Sequence, residues 1–158
     1  MRTVSIVLVL GLLGGAAAAQ QPAAPPEQSL YQRLGGAYPI AVVVDDFIGR
    51  LLVNDVLNAN PAINQARARV PAPGLKFHVT SLVCAVTGGP CKYAGRGMKE
   101  AHAHLYITER EWQAMVADFR VTLAKFKVPQ REQNELIQIV ESTKGEIVVA
   151  QGAAQTRR

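Results

Sequence analysis

Cysteine is scarce in this 158-residue chain, where Cys84 and Cys91 are the only two. That scarcity excludes a disulfide-dense scaffold, and with no second cysteine pair it excludes a four-cysteine zinc site. The Cys-x-x-Cys-His motif of covalent cofactor attachment is absent as well. Long apolar runs are also missing. The longest, Val4 to Leu13, falls short of the roughly 20 residues that a bilayer-spanning helix needs, and Gly14-Gly15 follow at once. Lys and Arg number 17 against 12 Asp and Glu, but the cations are scattered among the acids, whereas a nucleic-acid surface needs them gathered on one face. No internal repeat is present.

What is there begins with an export pattern. Arg2, the apolar run and small residues ending in Ala17-Ala18-Ala19 have the order of a secretory signal peptide over residues 1–19. A lipid anchor would need a cysteine near the cleavage site, and none stands there. Cleavage after Ala19 removes Arg2 and lowers the formal charge from +5 to +4. Residues 20–28, with Pro22, Pro25 and Pro26, suit an extended linker. Residues 29–149 have the size of one domain, and 150–158 form a polar, basic tail. Export places the chain where disulfides persist, so Cys84 and Cys91 are expected to pair as a structural staple. The compartment is periplasmic if the source is bacterial.

The domain reads as all-α. From Tyr38 to Val53, Ile40, Val43, Val44, Phe47, Ile48, Leu51 and Leu52 recur at helical spacing, with Asp45, Asp46 and Arg50 left for the outer face. An irregular polar stretch from Asn54 to Gly74 follows, within which Ala62 to Arg69 is a short-helix candidate. A helix is expected over Leu75 to Val86, stopped by Thr87-Gly88-Gly89-Pro90, and a shorter one over Met98 to His104. Thr108 and Glu111 form a capping box, with Ile107 and Trp112 as a hydrophobic staple, ahead of the stripe Trp112, Met115, Val116, Phe119, Leu123 and Phe126. After Pro129, the stripe Leu136, Ile139, Val140, Thr143 and Ile147 predicts a further helix.

Five motifs in order then resemble one family. Leu30-Tyr31-Gln32-Arg33-Leu34-Gly35-Gly36, Val42-Val43-Val44-Asp45-Asp46-Phe47, Thr87-Gly88-Gly89-Pro90 with Tyr93 and Gly95, Met98-Lys99-Glu100-Ala101-His102, and Val128-Pro129 are similar to the group I truncated haemoglobins. The likeness covers nearly the whole domain, with an apparent insertion of a few residues between Arg50 and Pro61. It implies a two-over-two helical sandwich around one haem b, whose iron is held by a histidine on the helix after the Gly-Gly-Pro loop.

The residues themselves agree with that ligand. His102 and His104 lie about 200° apart around one helix axis, so they cannot both face one iron. Met98, one turn before His102, favours His102, and the family position is His102 too. His104 is left for solvent or a neighbouring helix. On the other side, the positions where oxygen-holding relatives carry a tyrosine and a glutamine are here Ile48 and Val79, and neither can donate a hydrogen bond. The phenylalanine pair that wedges the haem in relatives is missing, since no aromatic residue stands between Phe47 and Phe77. His78 has two readings: a second axial ligand, or a side chain turned outward to a haem propionate or to water. Phe47, Leu75, Leu82, Val83, Met98 and Val140 are further pocket candidates, and Tyr93 and Arg96 are placed at the haem edge by the resemblance.

Three classes of function follow. The first is binding of a diatomic ligand, oxygen or nitric oxide, at a single haem iron. The second is haem redox work, either electron transfer or nitric oxide dioxygenation, which needs an electron donor. The third is a globin-shaped module that has lost haem. Whether the protein is an enzyme is open at this level; ligand binding is the reading preferred. No nucleic acid partner and no stable membrane insertion after signal cleavage are expected.

Overall fold

The structure, a computed structural model, describes residues 27–149, so the expected signal peptide, the start of the linker and the tail lie outside the described residues. Every regular element among the described residues is a helix: α1 (Leu30–Arg33), α2 (Ala37–Val53), α3 (Asp55–Asn58), α4 (Pro61–Arg69), α5 (Ala72–Val86), α6 (Met98–His102), α7 (Glu109–Lys125), α8 (Gln130–Ser142) and α9 (Lys144–Ile147). None of these is long and apolar enough to cross a membrane.

Apolar spacing decides how they stack. Ile40, Val44 and Ile48 recur every four residues on α2 and are buried against Leu75, Val79 and Val83 of α5. On α7, Trp112, Val116, Phe119 and Leu123 follow the helical repeat and form a second cluster with Leu136 and Ile137 of α8 and Ile147 of α9. Phe47 joins the layers, its ring 5.0 Å from that of Phe119. The result is one pair, α2 with α5, lying over another, α7 with α8, with α2 also in contact with α7. This is the two-over-two arrangement that the family likeness implies.

A partly buried polar clasp reinforces the contact between layers. Asp46 of α2 accepts hydrogen bonds from Arg50 at 2.8 Å, from the fully buried Thr122 of α7 at 3.1 Å, and from Lys125. Lys125 first, then Arg50 and Thr122, hold the Asp46 carboxyl down at about 2 against the partial burial that opposes them.

Helix ends account for the differences from the sequence reading. Asn54 to Gly74 is largely helical rather than irregular. Asn54 caps α3 and Asn60 caps α4, each side chain accepting two backbone N–H groups. Next, α5 starts at Ala72, three residues earlier than Leu75, because Pro73 falls in the first turn where its missing N–H costs nothing. Then α6 ends at His102 rather than His104: the Leu105 N–H turns back to the His102 carbonyl, and Tyr106 adopts φ 51°. The capping box of α7 forms as expected, Thr108 N–H to Glu111 at 2.7 Å and Glu111 N–H to Thr108 at 3.3 Å. The helix expected after Pro129 is broken at Thr143 into α8 and α9. The end of the linker is not free, since Glu27 pairs with Arg131 at 2.6 Å and the Gln28 carbonyl accepts from Arg33.

Cys84 and Cys91 are bonded, with Cα atoms 5.7 Å apart, as the export reading expects. The bridge sits in a turn that glycine alone allows. Gly88 has φ +86°, and a Cβ on Gly89 would lie 2.5 Å from Tyr31 and 2.7 Å from the Cys84 carbonyl and sulfur. Together the turn and the bridge tie the end of α5 to the loop that leads to α6.

Candidate cofactor site

Between the layers lies a cavity of about 680 Å3, in the size range of small-molecule and cofactor sites. Most residues singled out above for the site border it: Phe47 and Ile48 from α2, Leu75, His78, Val79 and Leu82 from α5, Tyr93 and Arg96 from the loop, and Met98 and His102 from α6. Helical phase explains the grouping on α5, because Leu75, Val79 and Leu82 share one stripe. Val83 and Val140 depart from expectation. Val83 is turned toward α2 and packs between the two core clusters, and Val140 packs into the core on α8, while the break at Thr143 brings Thr143 and Ile147 to the cavity instead.

Of the histidines, His102 and His78 border the cavity, whereas His104 is exposed and does not. The Nδ1 of His102 lies 2.9 Å from the Met98 carbonyl oxygen. A carbonyl can only accept, so Nδ1 carries the proton and Nε2 keeps its lone pair. The helix thereby fixes the tautomer in which a histidine can bind a metal through Nε2. His78 is exposed yet borders the same cavity, and its ring meets that of the exposed Phe77 edge-on at 5.7 Å.

The remaining wall was not foreseen from sequence. Leu51, Leu52, Leu57, Ile63 and Val70, from the end of α2 to the residue after α4, line the cavity as well. Helix α4 also brings Arg67 to the cavity, its guanidinium bonded to the Leu51 and Leu52 carbonyls and to Asn58. The signal for this wall was the Ala62 to Arg69 segment, read as helical but not assigned to the cavity. From α7 come Glu111, Trp112 and Met115. Trp112 is 1% exposed and its indole N–H has no acceptor among the described residues, a buried donor that costs stability while unmet.

These features fit haem. The lining is largely apolar, the His102 imidazole has its Nδ1 engaged and its Nε2 free, and Arg67 and Arg96 supply cationic groups for carboxylates. No group of three or more His, Cys, Asp or Glu suited to holding a bare metal ion occurs among the described residues.

Comparison with known proteins points the same way. A family model for bacterial-like globins matches residues 29–149. A group 1 truncated hemoglobin of Synechocystis sp. is 30% identical over 106 residues, 65% of this chain and 81% of that protein. One from Mycolicibacterium paratuberculosis is 26% identical over 129 residues, 81% of this chain and 90% of its own length. Among solved structures, the truncated hemoglobin of Tetrahymena pyriformis in the Fe(III) form superposes with a TM-score of 0.65 at 22% identity, covering 78% of this chain and all (100%) of that one. The 2/2 hemoglobin of Synechococcus sp., solved in the cyanomet state with covalently attached heme, gives 0.62 at 27% identity over 75% of this chain and 95% of its own.

Proposed function

Because the chain belongs to the bacterial-like globin family, among the group 1 truncated haemoglobins, and is thus a haem-binding globin, we propose that it holds one haem b through His102 and takes a diatomic ligand, oxygen or nitric oxide. The observation that carries this reading is the hydrogen bond from His102 Nδ1 to the Met98 carbonyl at the cavity wall, which leaves Nε2 for iron. When bound, haem would supply the iron at which a small ligand is taken up. Met98, Leu105 and Ala101 line the cavity around His102, while Ile48, Val79 and Leu82 of α2 and α5 make its other side apolar. Neither Ile48 nor Val79 donates a hydrogen bond. Oxygen gains most from such a donor, so this pocket suits nitric oxide, or oxygen held briefly, better than tight oxygen storage. The haem b assignment rests on the family likeness.

His78 supports a second reading, redox work with an electron donor. Its imidazole borders the same cavity as that of His102 and could supply a second nitrogen ligand to a haem iron. The two readings part in the absorption spectrum of the purified protein supplied with haem. A low-spin, two-histidine spectrum in both oxidation states favours the second, and a high-spin ferrous spectrum with simple second-order carbon monoxide binding favours the first. No haem uptake at all removes both. For the proximal side, His102→Ala should abolish or scramble the spectrum and His104→Ala should leave it near wild type; the reverse pattern refutes the assignment of His102.

The location we infer is outside the cytoplasm, periplasmic in a bacterium. The residue 1–19 pattern supports it, and so does the Cys84–Cys91 bridge, a bond that persists in oxidising compartments.

A further inference from the structure

The cations of this protein are scattered only when the whole domain is counted. Residues 61–104, which supply much of the cavity wall, carry Arg67, Arg69, Lys76, Lys92, Arg96 and Lys99 against the single acid Glu100, a net +5. The other described residues carry eight cations and eleven acids, a net −3. Within the basic segment, Lys76 pairs with Asp45, and no other cation has a carboxylate within ion-pair distance among the described residues. Two of the six, Arg67 and Arg96, border the cavity itself.

Arg67 is the more constrained of these two. It is half-buried, and its N–H groups meet three neutral acceptors: the Leu51 carbonyl at 2.6 Å, the Leu52 carbonyl at 3.5 Å and the Asn58 side chain. The carbonyl end of α2 offsets a fraction of its charge, but no carboxylate neutralises it. Arg33 makes the contrast. Glu132 and Glu135 raise the proton affinity of Arg33, whereas burial alone acts on Arg67 and lowers it. Arginine keeps its proton regardless, so a partly desolvated cation without a counter-ion stands at the edge of an apolar cavity, an arrangement that costs free energy until a negative group arrives.

We propose that the cavity is anion-accepting, with the Arg67 guanidinium holding the negatively charged group of what binds there. Arg96, the other cation that borders the cavity, adds to the positive potential there and favours such a ligand. The shared chemistry is a small anion or carboxylate against a guanidinium, and there are two sources: a carboxylate of the haem, or a free anionic ligand bound beside it. This rests on the haem reading above.

The test uses haem-loaded wild type with Arg67→Gln, which retains a donor for the α2 carbonyls but removes the charge, and Arg67→Lys, which keeps the charge. Azide is the anionic probe of the ferric protein and nitric oxide the neutral one. Transfer of haem, or of haem dimethyl ester, to an excess of a haem-free acceptor globin is timed alongside. If a free anion is held, Arg67→Gln weakens azide by about tenfold or more while nitric oxide is little changed, and Arg67→Lys restores part of the loss. If the haem carboxylate is held, Arg67→Gln speeds haem loss by about tenfold, and the difference disappears with the ester. Unchanged azide affinity together with unchanged haem loss overturns the proposal. Equal losses for azide and nitric oxide, with equal acceleration for haem and ester, overturn it too, since they mark a structural clamp. Wild type that takes up no haem defeats the functional reading itself, a result separate from haem uptake that is indifferent to Arg67.

Discussion

Reduction of the Cys84–Cys91 bridge is the perturbation whose size follows most directly from the fold. The bonded residues stand seven positions apart, and closing so short a loop removes unfolded-chain entropy worth about 2.5 kcal/mol in the chain-entropy model. For a domain of this length, each kcal/mol moves the melting temperature by roughly 4 °C. Oxidised protein should therefore melt about 10 °C above the same protein in reductant. Comparing two redox forms of one sequence matters, because Cys84 is fully buried and a Cys84→Ala variant would add a packing loss. Thermal unfolding followed by far-UV circular dichroism, with haem held at saturation, gives the number. The loop tied down by the bridge carries Tyr93 and Arg96 to the cavity and leads into α6 with His102, so haem loss should also quicken on reduction. Redox forms that melt within about 2 °C of each other would refute the entropic argument. They would show instead that the Gly88-Gly89 turn, packed on Tyr31, holds the loop without the bond.

Two further predictions concern other parts of the molecule. His78→Leu should turn a two-histidine spectrum into a five-coordinate one and speed carbon monoxide entry, whereas an unchanged spectrum and rate would mean that His78 does not ligate. Asp46 is held at about 2 against an ordinary 3.8, so its stabilisation is complete above the ordinary value and is lost as pH falls through the folded one. Asp46→Asn should accordingly lower stability near neutral pH and flatten the acid limb between pH 4 and 2 in urea titrations; equal acid limbs in both proteins would rule out the clasp as its source.

The sequence by itself determined what local chemistry controls. The stripe Ile40, Val44, Ile48 has no other use than a helix face, the Thr108–Glu111 box starts α7 where it stands, and Gly88-Gly89-Pro90 ends α5 because no other residue fits the turn. His102 was distinguishable from His104 by its one-turn spacing from Met98, whereas the structure separates the two histidines by ending α6 at His102. Tertiary structure decided what depends on distant partners. Asn54 to Gly74 read as irregular because its prolines look like breakers, yet each of Pro61 and Pro73 falls in a first turn, and the asparagine caps made helices of the segment. Val83 and Val140 had the right residue type for a pocket wall, but the direction in which a helix presents each side chain is fixed only when its neighbours are in place. Arg67 was silent in the sequence for the same reason. Its place at the cavity comes from reaching the carbonyl end of α2, 15 and 16 positions away along the chain, and no local pattern records a contact of that range.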